Sequence, residues 1–317
     1  MNASDGSRQP LMEYLRKFDL TDEAVNQTDI PEVWKVWGNA AWAFHTATKD
    51  APFISPTKNS GQQLTQYFED LAQRKPPPSP TTTTVTGDEL FLPRLTPAET
   101  EPYFRVVESR RTHRSFRSDT LSISTFSMLL QKTFGPFWFS YAKEMGTLQL
   151  RGAASGGARQ DVVPYFLVRK VTGIPEGMYE YDDLLHALRP HSKVIAEEQL
   201  DELIYYQDIT HNAAFVTFLT SDVRRLHWKY PHPRAMRVLY QNSGCVAQLF
   251  SMNATALGMG ASMTGAFCDT LLTEALDIDP DNQFPTFIMA CGRPRLRDDQ
   301  LPTRHSHFEG EPPADVE

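Results

Sequence analysis

The chain has 317 residues, 40% of them hydrophobic, which is enough for one large or two ordinary domains with a substantial core. Its 31 basic and 39 acidic side chains give a net charge of −8, which argues against a nucleic-acid partner. Because no run of about 18 apolar residues occurs and the first residues lack a signal pattern, we expect a cytoplasmic protein without a membrane segment.

Composition predicts three regions. Residues 1–96 form an N-terminal helical region that ends in a linker of prolines and threonines, which holds neither a helix nor a central strand. Residues 97–297 alternate helical and strand signals and form the main domain. Residues 298–317 are a polar tail that we expect to be frayed.

Within the main domain, an N-cap at Thr100 and an early proline predict a first helix ending near Arg111, and a second helix covers residues 124–133. Short apolar runs rich in aromatic and β-branched residues predict four strands, at residues 164–168, 177–181, 213–220 and 284–290. The third run shows little alternation, so we expect it to be buried on both faces.

The longest helical signal covers residues 234–257, with apolar residues at three-, four- and seven-residue steps. Gly244 lies inside this helix and costs about 1 kcal/mol relative to alanine. That cost is easier to understand if another backbone packs closely there. The pattern therefore predicts a central helix that also fits a subunit interface.

A short basic stretch stands out in this acidic chain. Residues 105–117 contain five arginines: Arg105, Arg110, Arg111, Arg114 and Arg117. Guanidinium groups bind phosphate through paired N–H donors, and the Thr112 hydroxyl adds another donor. A solvated basic end of a helix finishing near Arg111 is the alternative interpretation.

Two loops of small residues follow. Residues 151–159 form a turn through Ser155 and Gly156 that lets a flat or phosphorylated ligand approach the backbone, with Arg151 and Arg159 as polar contacts, or else an ordinary Gly-rich turn. Residues 258–267 follow a helix and lack Rossmann spacing, so they predict no dinucleotide site. One N–H of this loop can meet a cofactor ring, but a plain helix-ending turn explains it equally well.

Lys229 and Tyr230 lie between Trp228 and a Pro-His-Pro sequence. Neighbouring side chains diverge on helices and strands, so these two share a site only if they lie in a turn. A lysine that acts as a base needs a pKa below its usual value of about 10.4. A surface lysine beside a half-buried tyrosine is the alternative.

Nothing in the sequence predicts a metal site. The three cysteines, Cys245, Cys268 and Cys291, have no zinc-type partners, and we interpret them as reduced packing thiols. The nine histidines show no metal-binding spacing.

Taken together and in this order, the motifs resemble the nitroreductase-like flavoprotein superfamily, and within it the SagB-type or McbC-like dehydrogenases. Residues 110–116 resemble its R-x-S-x-[RK]-x-F motif with Thr112 in place of Ser, and residues 154–159 resemble its S-x-G turn. Trp228-Lys229-Tyr230 with residues 234–237 resembles its W-K-Y…R-A-Y-R segment, and residues 254–260 resemble its A-x-A-L-G-L-G segment. The resemblance covers residues 45–294.

The resemblance implies an α+β fold in which helices flank an antiparallel core sheet and a long central helix lies at a homodimer interface, with FMN as cofactor. The residues implied in FMN binding are Arg110, Arg111, Thr112 and Arg114 for the phosphate and ring edge, Ser155 and Gly156 in the turn facing the flavin, Gly265 for the flavin N5, and Arg293 as a further phosphate contact.

The best-known members of the subgroup oxidise thiazolines and oxazolines in peptide natural products. By resemblance, Lys229 and Tyr230 assist proton removal, hydride passes to flavin N5, dioxygen is the reoxidant, and the substrate is a small molecule, a peptide or a carrier-bound intermediate. Two other hypotheses stay open: an NAD(P)H-dependent nitro- or quinone reductase, and a flavin-free scaffold subunit. The chain departs from the family pattern at residues 242–245 and at Gln160-Asp161, so its substrate need not be an azoline.

Overall fold

The computed structural model describes residues 69–71, 73–74, 87–92, 103–205, 207–230, 235–280 and 282–295. Most of the predicted N-terminal helical region, the Pro/Thr linker and the polar tail lie outside these residues. The chain divides into two compact units. One consists of residues 75–226 and 239–317, and the other of residues 1–74 and 227–238.

The first unit contains a seven-stranded sheet in the order β1-β6-β5-β4-β7-β9-β8, and every pairing in it is antiparallel. The strands are β1 (Leu90–Phe91), β4 (Val162–Val168), β5 (Gly177–Asp182), β6 (Ala187–Pro190), β7 (Phe215–Asp222), β8 (Gly260–Thr264) and β9 (Gln283–Gly292). All residues of β4 and β7 are buried, which confirms the prediction for the 213–220 run.

Six helices of the described chain accompany this sheet: α1 (Tyr103–Ser109), α2 (Ile123–Phe134), α3 (Glu197–Leu203), α4 (Val223–His227), α5 (Ala235–Ala256) and α6 (Asp269–Ala275). The Ser122 side chain caps α2 by accepting a hydrogen bond from the Thr125 N–H. The 22-residue α5 is the predicted central helix. The α+β fold class with an antiparallel sheet is confirmed.

Apolar side chains cover both faces of the sheet. On one face, Phe126 of α2 meets Phe166 and Phe215 edge to face, and Phe215 also contacts Phe250 of α5. On the other face, a second cluster includes Leu200 of α3, Leu272 of α6 and Phe218. The central helix is therefore fixed on one face of the sheet by its own aromatic contacts.

Several short elements of the described chain were not predicted, and two regions differ most from the predictions. A separate hairpin of β2 (Pro136–Ala142) and β3 (Gly146–Arg151) follows α2, where no strand was predicted. Its aromatic residues face outwards, and Trp138 and Tyr141 are 73% and 76% exposed, so the run carries no core periodicity. The loop predicted at residues 258–267 is in part β8, an edge strand of small residues stabilised by pairing with β9.

Candidate functional site

The basic segment, residues 110–117, lies at the edge of the sheet formed by β8 and the end of β9. Thr112 forms a parallel bridge with Ala261, and the His113 N–H donates to the Ala261 carbonyl (2.9 Å). The Arg117 N–H donates to the carbonyl of Arg293 (2.9 Å). The segment thus joins two strands, and Arg293, predicted near the same ligand, lies beside it.

The side chains of this segment create a positive surface. Arg111, Thr112, Arg114 and Arg293 are exposed and Arg110 is half-buried. Within the described residues, neither Arg110 nor Arg114 forms an ion pair. Burial, and then Arg110 and Arg111, hold the pKa of His113 below its usual value. An anion such as a phosphate monoester suits this arrangement.

A close approach of two backbones holds the basic segment against β8. A Cβ added to Gly260 lies 2.7 Å from Cβ and 2.8 Å from Cγ of His113, closer than real contacts allow. The absence of a side chain at Gly260 therefore decides how near the basic segment lies to the sheet.

Substitution of Gly260 tests this packing. We expect Gly260→Ala to displace His113 and the residues around it and to destabilise the protein by about 1–3 kcal/mol. Gly177→Ala is the matched control, because a Cβ there meets Tyr179 at an ordinary 3.7 Å. Thermal unfolding of both variants measures the effect, and equal melting temperatures would contradict the close packing.

The Ser-Gly turn, residues 154–159, has an unusual backbone. Gly157 and Ala158 have φ values of 60° and 54°, and the following Gln160 has 50°, which is uncommon for side chains other than glycine. Such conformations persist only where surrounding contacts impose them, and they concentrate at functional sites. The Ser155 Oγ accepts a hydrogen bond from the Gln160 N–H (2.9 Å), and its own proton stays available as a donor.

A hydrogen bond joins this turn to the central helix. The Gly156 N–H donates to Oδ1 of Asn242 (2.9 Å), and Nδ2 of Asn242 donates to Oδ1 of Asp161 (2.5 Å). Asn242 and Asp161 both depart from the family pattern in the sequence, but they are far apart in the chain and no local pattern connects them.

The two arginines flanking the turn do not have the predicted role. Arg151 pairs with Asp183 and donates to Oε1 of Gln149, and its side chain is nearly buried. Arg159 is among the most buried side chains of the described protein. Both side chains are buried, so neither is a surface contact for a ligand.

Gly265 follows β8 directly, so the basic segment lies at one end of this strand and Gly265 at the other. The turn is fixed by Thr264, whose Oγ1 accepts from the Ala266 N–H (3.0 Å) and donates to Gln207 (2.9 Å). Gly265 is exposed, and apart from its two chain neighbours no described residue has an atom within 4 Å of its ideal Cβ position. Its backbone is therefore open to a ligand.

A groove of about 1020 Å³ runs along the central helix in this unit. Residues of α1, α2 and α5 line it together with Phe137 and residues 152–154. The segments that lead into the basic segment and into the Ser-Gly turn thus border one groove, whose wall includes Gly244, Cys245 and Leu249. Cys245 is exposed here rather than packed, whereas Cys291 is buried as expected.

Lys229 and Tyr230 belong to the second unit, where they lie in a turn as predicted. Lys229 is only 9% exposed, and its Nζ lies 5.6 Å from the centroid of the Tyr230 ring. The carbonyl of Trp228 accepts a hydrogen bond from Nη1 of Arg74 (2.8 Å). The turn therefore brings the ammonium and the phenol of adjacent residues together.

Two further findings concern the described residues alone. They contain no group of three or more His, Cys, Asp or Glu side chains arranged to hold a metal ion. Nor does any helix among them have the length and apolar character needed to cross a membrane.

The antiparallel sheet, the central helix and the basic edge define an α+β protein with a surface suited to an anion. The profile of the nitroreductase family matches residues 107–293, more than half of the chain, and the chain belongs to this family. Members of the family generally bind flavin, and the protein is accordingly a nitroreductase-like oxidoreductase.

Individual relatives agree with this family. A protein from Methanocaldococcus jannaschii that carries the name nitroreductase is 28% identical over 208 residues, which are 65% of this chain and 96% of the relative. A nitroreductase-type structure from Ralstonia eutropha has 18% identity and a TM-score of 0.55, and covers 71% of this chain and 96% of its own. One from Anabaena variabilis has 26% identity and a TM-score of 0.50 over 61% of this chain. The chain spans 38% of the length of that protein.

Proposed function

We propose that the protein is an FMN-dependent oxidase that acts on a thiazoline, an oxazoline or a related amino-acid-derived intermediate in peptide natural-product biosynthesis. The observation that carries this proposal is the pairing of the basic segment with β8. It aligns exposed arginines at one end of the strand with the open backbone of Gly265 at the other.

The chemistry of the donors fits FMN. Arg110, Arg111, Thr112 and Arg114, with Arg293 beside them, would hold the 5′-phosphate through charge-assisted hydrogen bonds. The Ser155 hydroxyl and the backbone N–H of Gly265 offer neutral donors suited to a ring with nitrogen and oxygen acceptors, and Gly156 lies beside Ser155 in the turn. Glycine has no side chain, so a flat group can approach the backbone closely at Gly156 and Gly265.

The chain's own residues would carry the proton chemistry. Lys229, as the neutral amine, takes a proton from the substrate ring and becomes an ammonium, which the face of the Tyr230 ring, 5.6 Å from Nζ, stabilises. When bound, FMN supplies the acceptor for the second hydrogen and its electron pair, and dioxygen is the reoxidant. Lys229 is 9% exposed, so its amine is largely shielded from bulk water.

A nitro- or quinone reductase driven by NAD(P)H is the alternative, favoured by the name of the Methanocaldococcus relative. Anaerobic mixing of the FMN-loaded protein with each reductant separates the two functions. We expect an azoline-containing peptide to bleach the flavin absorbance, and NADH or NADPH to leave it unchanged over the same time. Rapid bleaching by NAD(P)H with no response to azolines would establish the reductase instead.

We also propose that the groove is covered by a second copy of the chain. A helix interior rarely keeps a glycine without a packing reason, yet nothing in the described protomer approaches the Cβ position of Gly244 within 4 Å. The exposed aromatic residues of the β2–β3 hairpin continue this apolar surface from Phe137. A copy of α5 would place small side chains against small side chains.

The dimer is tested by Gly244→Trp. The described residues leave the Cβ position of Gly244 open, so we expect the fold to persist and the dimer dissociation constant to rise at least about tenfold by steric exclusion. Thr270→Trp, on the exposed side of α6, is the control. Sedimentation velocity reports the outcome, and a Gly244→Trp protein that stays as dimeric as the wild type, or a monomeric wild type, would contradict the proposal.

A further inference from the structure

The Asn242 side chain lies between a hydrogen-bond donor and a hydrogen-bond acceptor. On one side it accepts a hydrogen bond from the Gly156 N–H (2.9 Å), and on the other it donates to the carboxyl of Asp161 (2.5 Å). Both side chains are buried, with 4% of Asn242 and 0% of Asp161 exposed. Water cannot replace either partner without local opening.

Only an amide can bond to both partners when Asp161 is ionised. A backbone N–H is always a donor, so the Asn242 oxygen must face Gly156 and its NH₂ must face Asp161. An aspartate at position 242 would set two carboxyls against each other, whereas leucine would leave two buried groups unpaired. The identity of residue 242 is therefore coupled to that of residue 161.

Asp161 is itself held from several elements. Burial raises its pKa to about 6, while the amide of Asn242 on α5, the backbone, the hydroxyl of Ser221 on β7 and the charge of Arg225 on α4 act in the opposite direction. Its carbonyl also accepts from the Asp222 N–H (2.8 Å), which fixes its backbone to the end of β7. These contacts fix the Asp161 carboxyl relative to the sheet, and the Asn242 amide that donates to it is fixed as well.

We propose that Asn242 and Asp161 act as one positioning unit that sets the backbone of Gly156 and the Ser-Gly turn for flavin binding. Asp161 fixes the pair to the sheet, and Asn242 fixes it to the central helix. The hydrogen bond from Gly156 to Asn242 then holds the turn, whose positive φ values persist only where surrounding contacts impose them. This inference rests on the proposed function, since the turn is taken to contact the flavin. Neither residue is a catalytic residue.

The test is a swap of the two side chains. Asn242→Asp, Asp161→Asn and the double variant are compared with the wild type in FMN affinity and in hydrogen exchange of the peptide that contains Gly156. A second Asn–Asp pair, in which Asn282 donates to Asp279 at the surface, supplies the control variant Asn282→Asp. There the two carboxylates are solvated, so the same change costs little.

At pH 8 we expect Asn242→Asp to weaken FMN binding about 10- to 100-fold and to expose the Gly156 amide to exchange, because the two buried carboxylates repel each other and move the acceptor away from Gly156. The double variant restores an acceptor at 242 and a donor at 161. We expect its FMN affinity to lie within about threefold of that of Asp161→Asn. The Asp161→Asn protein keeps an acceptor for the Asn242 NH₂, so its FMN affinity should stay close to that of the wild type.

The pH profile separates positioning from a general loss of structure. Acidification from pH 8 to 5 protonates one carboxyl of the Asn242→Asp pair and supplies the missing donor, so exchange protection and FMN affinity recover in this variant. In the wild type, the raised pKa of Asp161 means that its contribution to stability is greatest below about pH 4 and falls as the pH rises to about 6. This loss of stability corresponds to about a 100-fold change in the folding equilibrium constant, and we expect Asp161→Asn to abolish this pH dependence.

The positioning unit would be overturned if the Gly156 amide of the Asn242→Asp protein exchanged at the wild-type rate at pH 8. It would also be overturned if the double variant folded but recovered neither exchange protection nor FMN affinity. A wild-type protein that takes up no FMN would contradict the proposed function instead. The exchange measurements need no flavin, so they still decide whether the pair holds the turn.

Discussion

We expect the Lys229→Ala protein to keep its FMN and to oxidise substrate about 10²–10⁴-fold more slowly, the usual contribution of a positioned general base. The lysine is nearly buried and its Nζ lies close to the Tyr230 ring, an environment that suits a group whose charge changes during turnover. Anaerobic stopped-flow measurement of flavin bleaching by the substrate reports the step directly.

The control is Lys193→Ala, since Lys193 is exposed and pairs with Asp277 at the surface. Exogenous methylamine should restore part of the rate to Lys229→Ala and none to Lys193→Ala. A Lys229→Ala protein that oxidises substrate at the normal rate would show that the base is elsewhere, and unchanged turnover with NAD(P)H would favour the reductase.

The second large effect concerns the phosphate. We expect Arg110→Ala combined with Arg114→Ala to weaken FMN binding by about 100-fold or more, because each charge-assisted hydrogen bond contributes about 1.5–3 kcal/mol. The melting temperature should hardly change, since neither side chain forms an ion pair within the described protein. Fluorescence titration with FMN at two salt concentrations measures the affinity, which for the wild type should fall with ionic strength.

Arg117→Ala controls for the loss of positive charge in the same segment. Its side chain pairs with Asp119 (2.7 Å), both partly exposed, so its removal should leave the affinity within a few-fold of the wild type. Equal losses in Arg117→Ala and in the double variant would mean that the segment attracts anions only through its overall charge.

Much of the fold could be predicted because its main elements carry strong local signals. The apolar residues of the central helix recur at helical spacing over a long stretch of sequence. The helix begins and ends within one residue of the predicted bounds. The strands at 177–182 and 215–222 are short, contain several aromatic or β-branched residues and pair with strands on both sides, which is what such runs indicate. The N-cap at Ser122 and the stop at Gly135-Pro136 fix α2 in the same way.

The elements that were missed depend on partners distant in the chain. The small residues of β8 form a strand only because β9 lies beside them, and the aromatic hairpin buries too little to show a core period. At the site, the motifs indicated the basic segment and the two turns. The bond between Asn242 and Asp161 and the close contact of Gly260 with His113 join residues more than 80 positions apart, and no local pattern signals them.

The central claim is that this edge of the sheet binds FMN through its phosphate, and a parallel titration with FMN and riboflavin tests it most directly. We predict that the purified protein absorbs in the flavin bands or takes up one FMN per protomer, with riboflavin at least about 100-fold weaker because the arginines then lack their anion. A protein that is colourless and takes up no FMN, or that binds both flavins equally, would contradict the claim.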